Sequence, residues 1–178
     1  VEIFFFSVWA LCQSLELAKV FMVAIAARGA GANVFEAVTR IALLGRYLGS
    51  LALFAGSLFA VGLRQERSLP LFGAIVLAAM LFATIQPLNS VGPGADLLAD
   101  RGLALLAMVF ELAIVGLALV NYLIAWRSSQ DRAYLYAGLG IVVVIVASML
   151  LKATQSPWIA GITFPFLVAG AAFYTRSL

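Results

Sequence analysis

Glu16 and Lys19 stand three residues apart inside the apolar run that opens the chain, in Ser14-Leu15-Glu16-Leu17-Ala18-Lys19. At i and i+3 the two side chains share a helix face and partly neutralise each other. A charge at membrane depth costs roughly 2.5–3.5 kcal/mol on insertion scales, so the pair marks either a site or a packing device. Arg46, Gln86 and Glu111 fall inside other apolar runs in the same way. The chemistry open to this set is ion pairing and the binding of a small molecule, ion or lipid. Catalysis is not expected. Histidine, the commonest general base and metal ligand, is absent, and there is one cysteine, Cys12. The chain carries no His-Glu-x-x-His, no Gly-x-Ser-x-Gly and no pair of intramembrane aspartates. No metal or cofactor is therefore expected. Gly92-Pro93-Gly94 lacks the preceding strand and the Gly-Lys-Ser/Thr ending of a phosphate-binding loop, and it reads as a turn.

The elements that must position these groups follow from composition. Of the 178 residues, 65% are hydrophobic and 11% charged, whereas soluble domains are about 45–50% apolar and about 25% charged. The class implied is an all-α polytopic membrane bundle, a single domain over 1–178, with the lipid bilayer as its surroundings. A net charge of +3 is too small to suggest nucleic acid, and it reads as loop charge. Val1 opens the chain without a methionine and the chain ends just after an apolar run, at Arg176-Ser177-Leu178, so residues are expected to precede or follow this stretch.

A spanning helix needs about 20 residues. Six transmembrane helices with short loops can be drawn, over 3–27, 34–63, 71–88, 103–126, 133–153 and 158–175. The breaks between them are rich in Gly, Pro and polar residues, as in Arg28-Gly29-Ala30-Gly31 and Gln155-Ser156-Pro157. The stretch 89–96 reads as the longest irregular segment, with Asp96 or Asp100 available to cap the next helix. Pro70 suits the first turn of the third helix, and Pro165 is expected to bend the sixth. No internal repeat is present.

An even number of spans puts both termini on one side. That side holds Arg64, Arg67, Arg127, Arg132 and Arg176, against Arg28, Arg101, Lys152 and, near the interface, Arg40. The excess favours cytoplasmic termini, in a bacterial inner membrane. Tyr122, Trp126, Tyr134, Tyr136 and Tyr174 would then form the aromatic belt on the cytoplasmic side. In this frame Lys19 and Glu111 lie eight residues from the outer ends of their spans, Arg46 about five, and Gln86, Lys152 and Gln155 within the outer third. At about 1.5 Å per residue these depths match, so Glu16, Lys19, Arg46 and Glu111 are expected to cluster among spans one, two and four. The preferred pairs are Lys19 with Glu111 and Glu16 with Arg46. Such a cluster either holds a ligand or only holds helices.

Span two carries Gly45-x-x-x-Gly49, then Ala52, Gly56 and Ala60 on one continuing face. Small residues at this spacing let helices approach closely, within the bundle or in a homodimer. Asn121 reads as an interhelical hydrogen-bonding residue, and Phe4, Phe5 and Phe6 as lipid-facing.

Two runs carry a family likeness, Phe5-Phe6-Ser7-Val8-Trp9-Ala10-Leu11-Cys12-Gln13-Ser14-Leu15-Glu16-Leu17 and Arg40-Ile41-Ala42-Leu43-Leu44-Gly45-Arg46-Tyr47-Leu48-Gly49. With a Trp-Ala start and an acidic Glu-Leu end on an early helix, they resemble the multi-span sensor modules that precede histidine-kinase or diguanylate-cyclase domains in bacteria. The resemblance implies a receptor-like bundle sensing a small or lipidic ligand from the outer half of the membrane. The function expected is thus a membrane sensor or ligand-binding module, with a transport protein or a small subunit of a larger membrane complex as the alternative.

Overall fold

Long runs of Leu, Ala, Val and Phe become helices because, away from water, only bonds internal to the segment satisfy the backbone. The computed structural model describes residues 1–15, 32–93, 99–153 and 157–177. Among these the chain forms six helices: α1 Glu2–Leu15, α2 Ala32–Ala60, α3 Ser68–Ile85, α4 Ala104–Ser129, α5 Arg132–Ala153 and α6 Pro157–Ser177. Three apolar stretches are long enough to cross a membrane, Asn33–Ala60, Gln65–Ile85 and Leu105–Ser129.

Punctuation residues set the ends. Gly62 takes φ +107°, its N–H bonds to Phe59 O, and the Leu63 N–H bonds to Leu58 O. This is the Schellman arrangement, and it stops α2 three residues before the expected boundary. A 3-10 turn, Gln65–Arg67, leads into α3, which carries Pro70 in its first turn. Pro87 forbids helical geometry at the residue before it, so α3 ends at Ile85 and Gln86 is extended at ψ 120°. Asp131 Oδ1 accepts the Ala133 N–H at 2.9 Å and starts α5. Pro165 lies inside α6, which continues through it.

α2 is the central helix, packed against α1, α3 and α4, while α5 joins α4 to α6. More than half of its most apolar stretch is buried, against about one-sixth for α3 and α4. Its small-residue face is taken up within the chain. A Cβ on Gly45 would lie 2.9 Å from Leu15 Cβ, and one on Gly49 or Gly56 would lie 3.3 Å from Cys12 Cβ or Phe5 Cβ. The close approach on this face is to α1. α5 and α6 meet by the same device, since a Cβ on Gly140 would lie 3.0 Å from the Tyr174 N and one on Gly170 would lie 2.9 Å from Val144 Cγ2.

Four expectations are corrected. The described part of the stretch expected to be irregular is paired: β1 (Leu88–Pro93) runs antiparallel to β2 (Ala99–Arg101), with an irregularity between Leu88↔Arg101 and Pro93↔Ala99, and 94–98 lie outside the described residues. Asp100 therefore lies in a strand. The residue preceding α4 is Leu103, in the left-handed region at φ +60° with no side-chain cap, while Asp96 lies outside the described residues. Of the three opening phenylalanines only Phe4 faces outward, because successive helical residues diverge by about 100°. Phe5 stacks on Phe59 at 5.5 Å, and Phe6 lies against Tyr174 at 4.4 Å. Tyr122 and Tyr174 are each 1% exposed and share a 2.7 Å hydroxyl–hydroxyl hydrogen bond in the core instead of joining an interfacial belt. Tyr136 is exposed.

Candidate functional site

The backbone turn at Pro87 places Gln86 against α2. Its side chain is 7% exposed, and Oε1 accepts a hydrogen bond from the Tyr47 hydroxyl at 2.6 Å. Its Nε2 is buried with no hydrogen-bond partner among the described residues. A buried donor left unmade costs about 1–3 kcal/mol, which the Tyr47 bond to the same amide offsets in part. Around it lies a pocket of about 330 Å³, between α2, the end of α3 and the first turns of α4. Tyr47, Phe82, Leu106, Ala107 and Phe110 line it with Gln86. The three aromatic rings form one wall: Phe82 and Phe110 are 4.6 Å apart, and Tyr47 is 5.7 Å and 6.2 Å from them.

One residue along from Tyr47 and from Phe110, Arg46 and Glu111 reach across between α2 and α4. Arg46 Nε lies 3.8 Å from Glu111 Oε1, with the side chains 10% and 18% exposed. Each also makes a further interaction. At that separation attraction is about 4 kcal/mol at an effective dielectric constant near 20, and desolvation takes back much of it. Their other expected partners, Glu16 and Lys19, lie outside the described residues, as does Gln155. Of the five residues singled out by sequence, Arg46 and Glu111 are therefore brought together, and Gln86 lines the pocket whose wall their sequence neighbours build.

Two structural roles escaped sequence reading. Arg40 Nη1 donates to Ala83 O at 2.9 Å and Thr84 O at 2.8 Å, satisfying carbonyls at the end of α3, and Arg40 Nη2 pairs with Glu36 at 2.9 Å. A cation belongs at a helix C-terminus, but the two residues are 43 and 44 positions away and nothing local announces the contact. Tyr47 is the other, since an aromatic residue in an apolar run reads as core. Asn121 makes the interhelical bond its position suggests, its Nδ2 donating to the buried Ser57 Oγ at 2.9 Å. Among the described residues, no three His, Cys, Asp or Glu converge as a metal cluster.

No protein-family model matches the chain, and neither a curated protein nor a solved structure is similar to it.

Proposed function

We propose that the chain is an integral membrane ligand-binding module of sensor type, without catalytic activity of its own. It forms a six-span bundle with both termini on the cytoplasmic side of a bacterial inner membrane. A small molecule, ion or lipid held in the outer half biases the packing of the helices around Glu16, Lys19, Arg46, Gln86 and Glu111. The observation that carries this reading is the juxtaposition of a nearly buried Arg46–Glu111 pair with an apolar pocket that Gln86 and Tyr47 line. Charged and polar groups at membrane depth are expensive, and ligand sites are commonly concave and mostly apolar. To act as a sensor, the bundle must have two arrangements that the ligand binds with different affinity.

Topology is tested first. In a Cys12→Ala background, an impermeant maleimide added to whole cells should label Gly92→Cys and leave Gln65→Cys and Gln130→Cys unlabelled. Labelling at position 65 or 130 overturns the orientation. Glu111→Gln should then accumulate normally in the membrane yet lose the thermal stabilisation that a total membrane lipid extract gives the unaltered protein. Failure of Glu111→Gln to accumulate would make the charged layer a device for holding helices only.

A further inference from the structure

We propose that the end of the bundle carrying Arg64, Arg67, Arg127, Arg132 and Arg176 docks anionic phospholipid headgroups, its guanidinium groups meeting the phosphodiesters of the leaflet at that end. The proposal rests on the membrane-module reading above and adds a partner at the opposite end of α3 from Gln86.

The fold gathers these residues from separate parts of the chain. Phe5 at the start of α1 stacks on Phe59 near the end of α2, and Phe6 lies 4.4 Å from Tyr174 near the end of α6. Tyr174 is bonded to Tyr122 of α4, and Gly140 of α5 packs on its backbone. These contacts put five helices at one level. Arg176, Arg127 and Arg132 lie two, five and eight helical residues outward from Tyr174, Tyr122 and Gly140, or about 3, 8 and 12 Å at about 1.5 Å per residue. Arg64 and Arg67 flank the turn that follows α2. One headgroup layer is about 5–8 Å deep, and the length of an arginine side chain covers the remaining spread.

The surface so formed is basic and open. All five arginines are exposed, and none forms an ion pair among the described residues. The acids at this end are Glu2, Glu66 and Asp131. Glu2 is half-buried with Oε2 inside, and one oxygen of Asp131 accepts the Ala133 N–H. The excess of positive charge attracts an anionic leaflet. What marks the partner as a lipid surface is the apolar flank beside each cation. Leu69, two residues past Arg67, is 77% exposed, and Ile124, Tyr136 and Phe173 are exposed within about one turn of Arg127, Arg132 and Arg176. Apolar flank giving way to guanidinium on α3, α4, α5 and α6 is the profile of a bilayer boundary, and a soluble acidic partner would leave those flanks uncovered. All five cations are arginine, whose planar fork holds two phosphate oxygens at once where lysine offers a point charge.

The test reconstitutes the full chain in phosphatidylcholine vesicles with trace spin-labelled phosphatidylglycerol or phosphatidylcholine of the same acyl chain. Electron paramagnetic resonance then reads the fraction of label immobilised at the protein. Phosphatidylglycerol is expected to associate at least threefold more strongly, and raising sodium chloride from about 50 mM to about 500 mM should remove most of the preference. Arg127→Gln with Arg132→Gln should at least halve it, whereas Arg101→Gln with Lys152→Gln, which removes two charges at the other end, should leave it unchanged. Equal association of the two lipids with the unaltered protein, or equal losses in the two double variants, overturns the proposal. If the Arg127/Arg132 variant does not fold, the unaltered protein and the Arg101/Lys152 variant decide, and loss of the preference in the latter overturns it. Displacement of phosphatidylglycerol by soluble deca-glutamate also overturns it, in favour of an acidic protein partner. Should the maleimide topology hold without a headgroup preference, the lipid surface falls and the membrane-module reading stands; a reversed topology with the preference intact removes the orientation and leaves the lipid surface at this end.

Discussion

Arg46 and Glu111 show how an intramembrane charge is tolerated. Each is nearly buried, and each offsets the other's desolvation across two helices that meet at that depth. Removing one partner takes away the ion pair's share of that compensation and leaves the other residue its further interaction. Arg46→Met or Glu111→Leu alone is therefore expected to lower stability, and the double replacement to lower it by less than the sum of the two. Thermal unfolding in detergent micelles, followed by helical circular dichroism, checks the cycle. Additive losses would mean that the two side chains act independently. Gln86 is the opposite case, a neutral group whose acceptor is used by Tyr47 while its Nε2 is buried without a partner among the described residues. Gln86→Leu removes that unmade donor together with the acceptor of the buried Tyr47 hydroxyl, so the two effects oppose each other and the change in stability should stay within about 1–3 kcal/mol.

Among the elements, α2 carries the organisation because small residues let α1 lie close along one face while its other faces meet α3 and α4. The close α5–α6 contact is equally demanding. A side chain at Gly140 would meet the Tyr174 backbone, which cannot move aside as the end of a flexible side chain would. Gly140→Val should cost about 1–3 kcal/mol by overpacking, whereas at the exposed Gly73, where a Cβ meets nothing within 4 Å, the same change should leave the unfolding temperature nearly unchanged. Equal effects at the two positions would contradict the close α5–α6 approach. The end of α3 is settled similarly from outside the helix, by Pro87 in sequence and by the Arg40 guanidinium in space. Together these put Gln86 where Tyr47 can reach it.

At the scale of the whole molecule, burial is distributed unevenly. α2 is enclosed, whereas α3 and α4 present residues such as Leu77 and Leu105, 69% and 76% exposed, to the surroundings. Exposed apolar surface on this scale is what a bilayer covers. Opening free energy follows enclosure, so amide hydrogens of α2 between Leu43 and Ala55 should exchange more slowly than those of α3 when the protein is held in nanodiscs. Faster exchange in α2 than in α3 would argue against its central position.

Composition and periodic breaks determined by themselves that the chain is helical and apolar enough for a membrane, and where most helices run. The end of α3 beside Pro87 and the end of α2 at Gly62 follow from local backbone rules, and Arg46, Gln86 and Glu111 stood out because charge and amide groups are costly in apolar runs. Which way a residue faces was not legible there. Phe5 and Tyr174 look like Phe4 and Tyr136 in sequence, yet the first two are buried and the others exposed, because orientation depends on where neighbouring helices pack. The ladder at Leu88–Pro93 was missed because its partner strand has only three residues. The partner of Arg40, the ring wall around Gln86 and the crossing of Arg46 with Glu111 join residues far apart in the chain. Only tertiary packing decided them, since it alone converts matched depth along separate helices into contact.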